Sequence, residues 1–133
     1  MCDLGMNPDS FNPRIMYMVK RKFNGESKST YHSHDFSSMV FILAGSCTYN
    51  INSGLYSVKK GDLIVCNPGV FHCKLLSPAD EVVEFHVGLN NISLEGLPKN
   101  HLIPDSLCPI INLSKYEQDY FKCCSEILLE QEK

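Results

Sequence analysis

The chain has 133 residues, room for one domain and hardly two. Its 44% apolar and 20% charged residues are ordinary globular composition and argue against wholesale disorder. Twelve Lys plus Arg against fifteen Asp plus Glu leave a net charge of −3, so this chain lacks the dense basic face that grips a phosphate backbone.

No apolar run approaches the ~18–20 residues of a membrane helix; the longest, Met39 to Gly45, is strand-sized. The start, Met1-Cys2-Asp3-Leu4-Gly5, has neither the basic residues nor the apolar stretch of a secretory signal. A cytoplasmic protein with no membrane partner is the expectation. Seven cysteines cannot all pair within one chain, and no CxxC marks a zinc knuckle or redox centre. They read as small apolar core fillers in a reducing compartment.

In chain order, residues 1–12 read as a loose, turn-rich arm. Ile15 to Lys22 is the first strand, and Phe23 to Ser29, with Asn24-Gly25, is a turn. Thr30 to Phe36 carries the first histidines. Met39 to Leu43 is a buried-type strand closed by Gly45. Cys47 to Asn52 alternates, with Thr48, Asn50 and Asn52 on one face and Cys47, Tyr49 and Ile51 on the other. Asn52-Ser53-Gly54 is a hairpin turn returning through Leu55 to Val58. After the turn at Lys59 to Asp62 come strands at Leu63–Cys66, Phe71–Leu76 and Glu81–Leu89. Short strands spaced about 8–12 residues apart and broken by Gly and Pro turns predict an antiparallel sandwich or barrel over residues 13–90.

Residues 91–113, with Pro98, Pro104 and Pro109, read as a connecting loop. Ser114-Lys115-Tyr116-Glu117 is a capping box. Behind it Tyr116, Tyr120, Phe121, Cys124, Ile127 and Leu128 recur at spacings of three and four, which predicts one amphipathic helix over 114–133. No Gly or Pro stop follows it, so the chain reads as the N-terminal part of a longer polypeptide. The apolar stripe suits either a dimer contact or packing on the chain's own barrel.

Three features carry chemistry. In His32-Ser33-His34, residues two apart on a strand point to one face, so two imidazoles share a space suited to a metal or polar ligand. The turn at Pro68-Gly69 lets His72 face inward on the next strand. Gly61-Asp62 opens the strand that leads there. Each alone is unremarkable: His-x-His pairs also occur on solvated strand faces. On the Glu84-Phe85-His86-Val87 strand, Glu84 and His86 share a face, and one of them could reach the same cavity.

Their order and spacing resemble the cupin superfamily. Its first motif reads here as His32, His34, Ser38 where glutamate is expected, and Gly45; its second as Gly61, Pro68, Gly69 and His72. The wording of His34-Asp35-Phe36, Met39 to Gly45 and Gly61 to Val65 looks like the N-terminal sensory domain of AraC-type transcription regulators. The resemblance covers about Thr30 to Leu89. It implies an all-β fold, a double-stranded β-helix (cupin or jelly-roll barrel), with a C-terminal α-helical appendage.

It further implies a small-molecule effector, often a sugar, bound in the barrel, and a homodimer formed through the helix beside it. DNA contact would fall to a C-terminal helix-turn-helix domain absent from this sequence. Candidate ligand-binding residues are His32, His34, Phe36, Ser38, Asn50 and His72, with Phe41 and Tyr49 giving flat apolar surface. No cofactor is required by this reading. A divalent metal (Zn, Ni or Fe) on His32, His34 and His72 is the candidate cofactor, held more softly for want of the glutamate. The competing expectations are a small metal-dependent cupin enzyme, an oxygenase or isomerase, and a purely structural pairing domain with an empty barrel.

Overall fold

The longest strand organises the molecule. In the computed structural model, which describes residues 12–113 together with Lys122, Cys123, Ser125 and Glu126, that strand is β2 (Ser37–Ile51). It pairs antiparallel with four others: β3 (Gly54–Lys59), β4 (Asp62–Cys66), β5 (His72–Leu75) and β6 (Glu81–Asn90). β1 (Arg14–Asn24) adds to β6, and β7 (Ile110–Asn112) adds to β4. The protein is all-β, as the turn spacing predicts.

Two differences from the sequence reading have clear causes. The strands expected at Met39–Leu43 and Cys47–Asn52 are one strand, because Gly45 bends the chain without ending it. One extra residue sits between Ile42 and Ala44 opposite β6, and Gly45 has φ +76°. This bulge switches the inward parity. Val40 and Ile42 face the interior before it, and Cys47, Tyr49 and Ile51 after it. A Cβ on Gly45 would lie 1.9 Å from the Glu81 carbonyl oxygen, so the backbones touch only because the residue is glycine. The stretch 91–113, expected as loop, also supplies β7. Its pairing with β4 is reinforced by Asp62, which accepts from the Lys59 N–H and from the Asn112 side-chain amide.

The main core joins Val40, Ile42, Tyr49, Ile51, Val58, Ile64 and Val82 inside the barrel. A second cluster, centred on Phe85 and Val87, lies on the other face of β6 with Met39, Phe41 and Leu113 against it. Phe41 therefore belongs to that outer cluster and gives no surface to the interior. The helix expected from Ser114 to Lys133, and with it Tyr116, Tyr120, Phe121, Cys124, Ile127 and Leu128, lies outside the described residues, as does the arm through Phe11. Lys122, Cys123, Ser125 and Glu126 are helical and exposed. Cys47, Cys66, Cys73, Cys108 and Cys123 are free thiols, the first three buried.

Candidate functional site

Backbone pairing assembles the histidines. His32 and His72 exchange two main-chain hydrogen bonds (3.1 and 2.8 Å), which sets their rings side by side at 4.6 Å between centroids. The Gly69 N–H, in the Pro68-Gly69 turn, donates to the His34 carbonyl at 2.8 Å and draws the second motif onto the first. The His34 ring then lies 4.7 Å from His32 and 5.3 Å from His72, and Phe36 stacks on its other side at 4.6 Å. One ring nitrogen from each of the three histidines lies within 4.8 Å of the other two.

Their tautomers follow from their partners. His32 Nδ1 meets the Thr30 carbonyl and His72 Nδ1 meets the Val70 carbonyl. A carbonyl only accepts, so each Nδ1 carries the proton and each Nε2 keeps a bare lone pair. Burial pushes the His72 imidazole down to about 4, helped by its imidazole neighbours and opposed by the Val70 bond. Burial, then the charge of His32, also lowers His34. Imidazoles whose Nδ1 is bonded outward, as on His32 and His72, with His34 beside them, are the donor set that a borderline transition metal needs, so these residues fit such an ion.

Ser38 is buried on the wall of the same cavity and brings no carboxylate. Asn50 is not among the lining residues: its neighbour Tyr49 takes the inward place, and the alternation turns Asn50 away. Phe36 is not among the lining residues and reaches the cavity through His34, on which it stacks, and Tyr17, whose ring it meets edge-on at 5.7 Å. The cavity is small, about 60 Å³, and Tyr17, Tyr49, Lys74 and His86 complete most of its wall.

Behind that wall sits a wholly buried carboxylate. Glu84 accepts from the Tyr49 hydroxyl at 2.7 Å and from His86 Nε2 at 2.7 Å, with Lys74 Nζ at 3.3 Å. Burial opposes its ionisation, but the His86 bond, the Lys74 charge and the Tyr49 bond prevail and hold its carboxyl below the ordinary range. Glu84 and His86 both face inward, His86 on the cavity and Glu84 beneath it. Lys74 is the functional candidate that the motif reading passed over. A signal was present: it lies two residues beyond His72 on one strand and so shares its face.

The AraC-like ligand binding domain model matches residues 17–131. The chain belongs to this family. No curated protein matches it. Among solved structures it is similar to a cupin-like protein of Thermotoga maritima (18% identity, TM-score 0.50, covering 57% of this chain and 65% of that one). It also resembles a predicted oxalate decarboxylase of the same organism (20%, TM-score 0.51, 56% and 65%). A third similar structure is a cupin protein of Bacteroides fragilis (15%, TM-score 0.51, 66% and 76%). The chain thus spans about 65% of the length of the two Thermotoga proteins. These likenesses identify the AraC-like domain's fold as the cupin double-stranded β-helix. Among the described residues no helix is long and apolar enough to cross a membrane.

Proposed function

We propose that this AraC-like domain senses a small polar effector inside its barrel and passes the binding event to a DNA-reading domain as part of a cytoplasmic transcription regulator. The observation that carries the reading is the lining of the barrel cavity: His32, His34, His72, Lys74 and His86 converge on one space in a chain of a ligand-binding family. Polar groups that converge on one enclosed space suit a small polar ligand. The effector acts by favouring one of two arrangements of a homodimer, formed through the segment 114–133. DNA contact belongs to a helix-turn-helix domain outside this sequence, consistent with the acidic balance of −3. Thermal shift against a panel of sugars and small acids tests the sensing step. A ligand at 100 times its Kd adds about 2.7 kcal/mol, several degrees for a domain of this size. No shift with any compound, together with a strictly monomeric species at tens of micromolar by sizing chromatography, would sink the reading.

A second reading, a metal-dependent cupin enzyme, is favoured by one observation: the bare Nε2 lone pairs of His32 and His72 beside His34. A divalent metal there would supply a Lewis acid with open positions for water or substrate. The chain's own residues would hold it and fix its ligands by the outward Nδ1 bonds. Protein purified without chelator that carries well under ~0.2 metal per chain would count against this reading.

A further inference from the structure

Among the described residues Lys74 is the one lysine on the wall of the cavity, and its place is unusual. Its side chain is 9% exposed, yet its contacts are slack. Nζ lies 3.3 Å from Glu84 Oε1 and 3.4 Å from the Tyr49 hydroxyl. Charge-assisted bonds of an ammonium run at about 2.7–2.9 Å. Glu84 holds its other partners, Tyr49 and His86, more closely, both at 2.7 Å. Among the described residues Nζ also lies over the face of Phe23, 3.8 Å from the ring centroid, and 5.3 Å from that of Tyr49. A nearly desolvated ammonium is therefore held by an aromatic face and two long contacts, with a proton to spare for a better acceptor. No acidic residue is among the described residues lining the cavity. The imidazole lone pairs of His32 and His72 accept; they do not donate. The wall thus has two poles: acceptors that take a hydroxyl proton or a cation, and one cation that takes an anion. At about 60 Å³ the space holds a compound of a few heavy atoms and falls far below the ~300 Å³ of an ordinary metabolite pocket.

We propose that Lys74 is the ligand-recognising cation of this cavity, and that the effector is a small hydroxylated oxyanion, a short hydroxy acid or phosphate-bearing compound, rather than a neutral sugar. This inference rests on the small-molecule sensing reading above and names the ligand class for the same site. Its anionic end binds Lys74 Nζ without displacing the Tyr49 and His86 bonds to Glu84, and its hydroxyl faces the three histidines.

The probe pair is glycolate and its neutral isostere glycolamide, titrated by calorimetry into the 133-residue protein with chelator and again after Zn²⁺ loading. Inorganic phosphate serves as the second anionic probe. Glycolate or phosphate should bind about tenfold tighter than glycolamide in at least one of these conditions. Lys74→Met should remove that preference, while Lys22→Met, an exposed lysine paired with Glu81, should keep it. If Lys74→Met fails to fold because Glu84 loses its counter-charge, the double variant Lys74→Met with Glu84→Gln gives the same readout without a lone buried charge. A preference for glycolate supports a carboxylate ligand, and one for phosphate a phosphorylated ligand. An anion-to-glycolamide ratio at or below fivefold in both conditions overturns the inference, and so does a preference that survives the loss of Lys74 or disappears in Lys22→Met. A neutral sugar that binds while the anions do not overturns the inference and leaves the sensing reading standing. The absence of binding by glycolate and phosphate in both conditions overturns the inference, while the sensing reading stands or falls with the thermal-shift panel and the oligomeric state.

Discussion

Tyr49 donates its hydroxyl to Glu84 Oε2 at 2.7 Å, and both side chains are buried in the barrel. Burial, with the Glu84 charge and bond, raises the Tyr49 phenol well above its ordinary value, so it remains a donor across the accessible pH range. The bulge at Leu43 makes this contact. Without the parity switch, Tyr49 would face outward and Glu84 would keep His86 and Lys74 but lose its hydroxyl donor. Tyr49→Phe should therefore destabilise the protein by about 1–3 kcal/mol, the cost of leaving one buried acceptor short of a partner. Glu84→Ala should cost about 3–5 kcal/mol, because Lys74 is then stranded. Denaturant midpoints at unchanged m-value check both. Equal midpoints for wild type and Tyr49→Phe would show that the bond contributes nothing.

Acid should act in two windows. The folded value of His72 is about 4 against an ordinary 6.5, so between those values the unfolded chain takes a proton that the folded chain refuses. Stability then falls as pH drops from about 6.5 towards 4. Glu84 is also depressed, from an ordinary 4.5, so its contribution is intact above that value and is lost only as pH falls further. In chelator, wild type should lose melting temperature steadily from pH 6.5 downward. His72→Asn should make the upper window shallower, leaving the part due to the likewise lowered His34, and keep the loss below pH 4.5. A His72→Asn profile parallel to wild type from 6.5 to 4 would refute the assignment.

Much of this was legible in the chain itself. Gly and Pro turns mark the strands, and His32, His34 and His72 stand in an order that predicts their meeting. What escaped the reading is tertiary. Gly45 reads as a stop but acts as a bend, because only the neighbouring Glu81 carbonyl reveals why glycine is needed there. Asn50 joins the expected ligand set by its residue type, yet the bulge gives the inward place to Tyr49. Lys74 belongs to no motif, and although it shares the His72 face, its burial comes from Phe23 and Glu84, distant in sequence, which close over it. β7 is too short, at three residues, to carry a pattern of its own and exists through its pairing with β4.

Metal should register as stability before it registers as activity. If an ion occupies the three histidines, adding Zn²⁺ or Ni²⁺ to chelator-treated protein should raise the melting temperature by several degrees, and His32→Ala should abolish the rise. His86→Ala, on the same cavity but outside the trio, should retain most of it. A rise that is unchanged in His32→Ala would place the ion elsewhere.

Gly45→Ala is expected to be among the most damaging single-methyl changes in the molecule. Its φ of +76° disfavours any L side chain, by about 1–2 kcal/mol. The added carbon would lie 1.9 Å from a backbone oxygen, which no rotamer change relieves. Relief requires β2 and β6 to part at the bulge, and overpacking of this kind costs a further ~1–3 kcal/mol. The total, about 2–5 kcal/mol, predicts poor soluble yield or a large midpoint loss, whereas Gly96→Ala, with positive φ but open space around it, should cost only the backbone part. Equal losses at the two glycines would mean that the close approach of β2 to Glu81 is not maintained in solution.

Asn67 fastens the segment that leads to β7. Its buried amide donates to the Ile103 carbonyl at 2.8 Å and to Asp105 at 3.2 Å, and its oxygen accepts from the Leu102 N–H at 2.8 Å. The residue sits at the end of β4, just before the Pro68-Gly69 turn that holds His34, so one side chain joins the 102–105 loop to the base of the histidine site. Asn67→Ala leaves the Leu102 and Ile103 groups to find water, and should cost about 1–3 kcal/mol. Because the turn loses its anchor on one side only, hydrogen exchange should quicken first at the amides of Leu102 and Ile103 and less at Gly69, whose bond to His34 is untouched. Asn67→Asp, which keeps the acceptor but loses the donor and faces Asp105, should destabilise at pH 7 and recover in part as the carboxylates are protonated. If Asn67→Ala left exchange at Leu102 unchanged, the loop would be held by its backbone contacts alone.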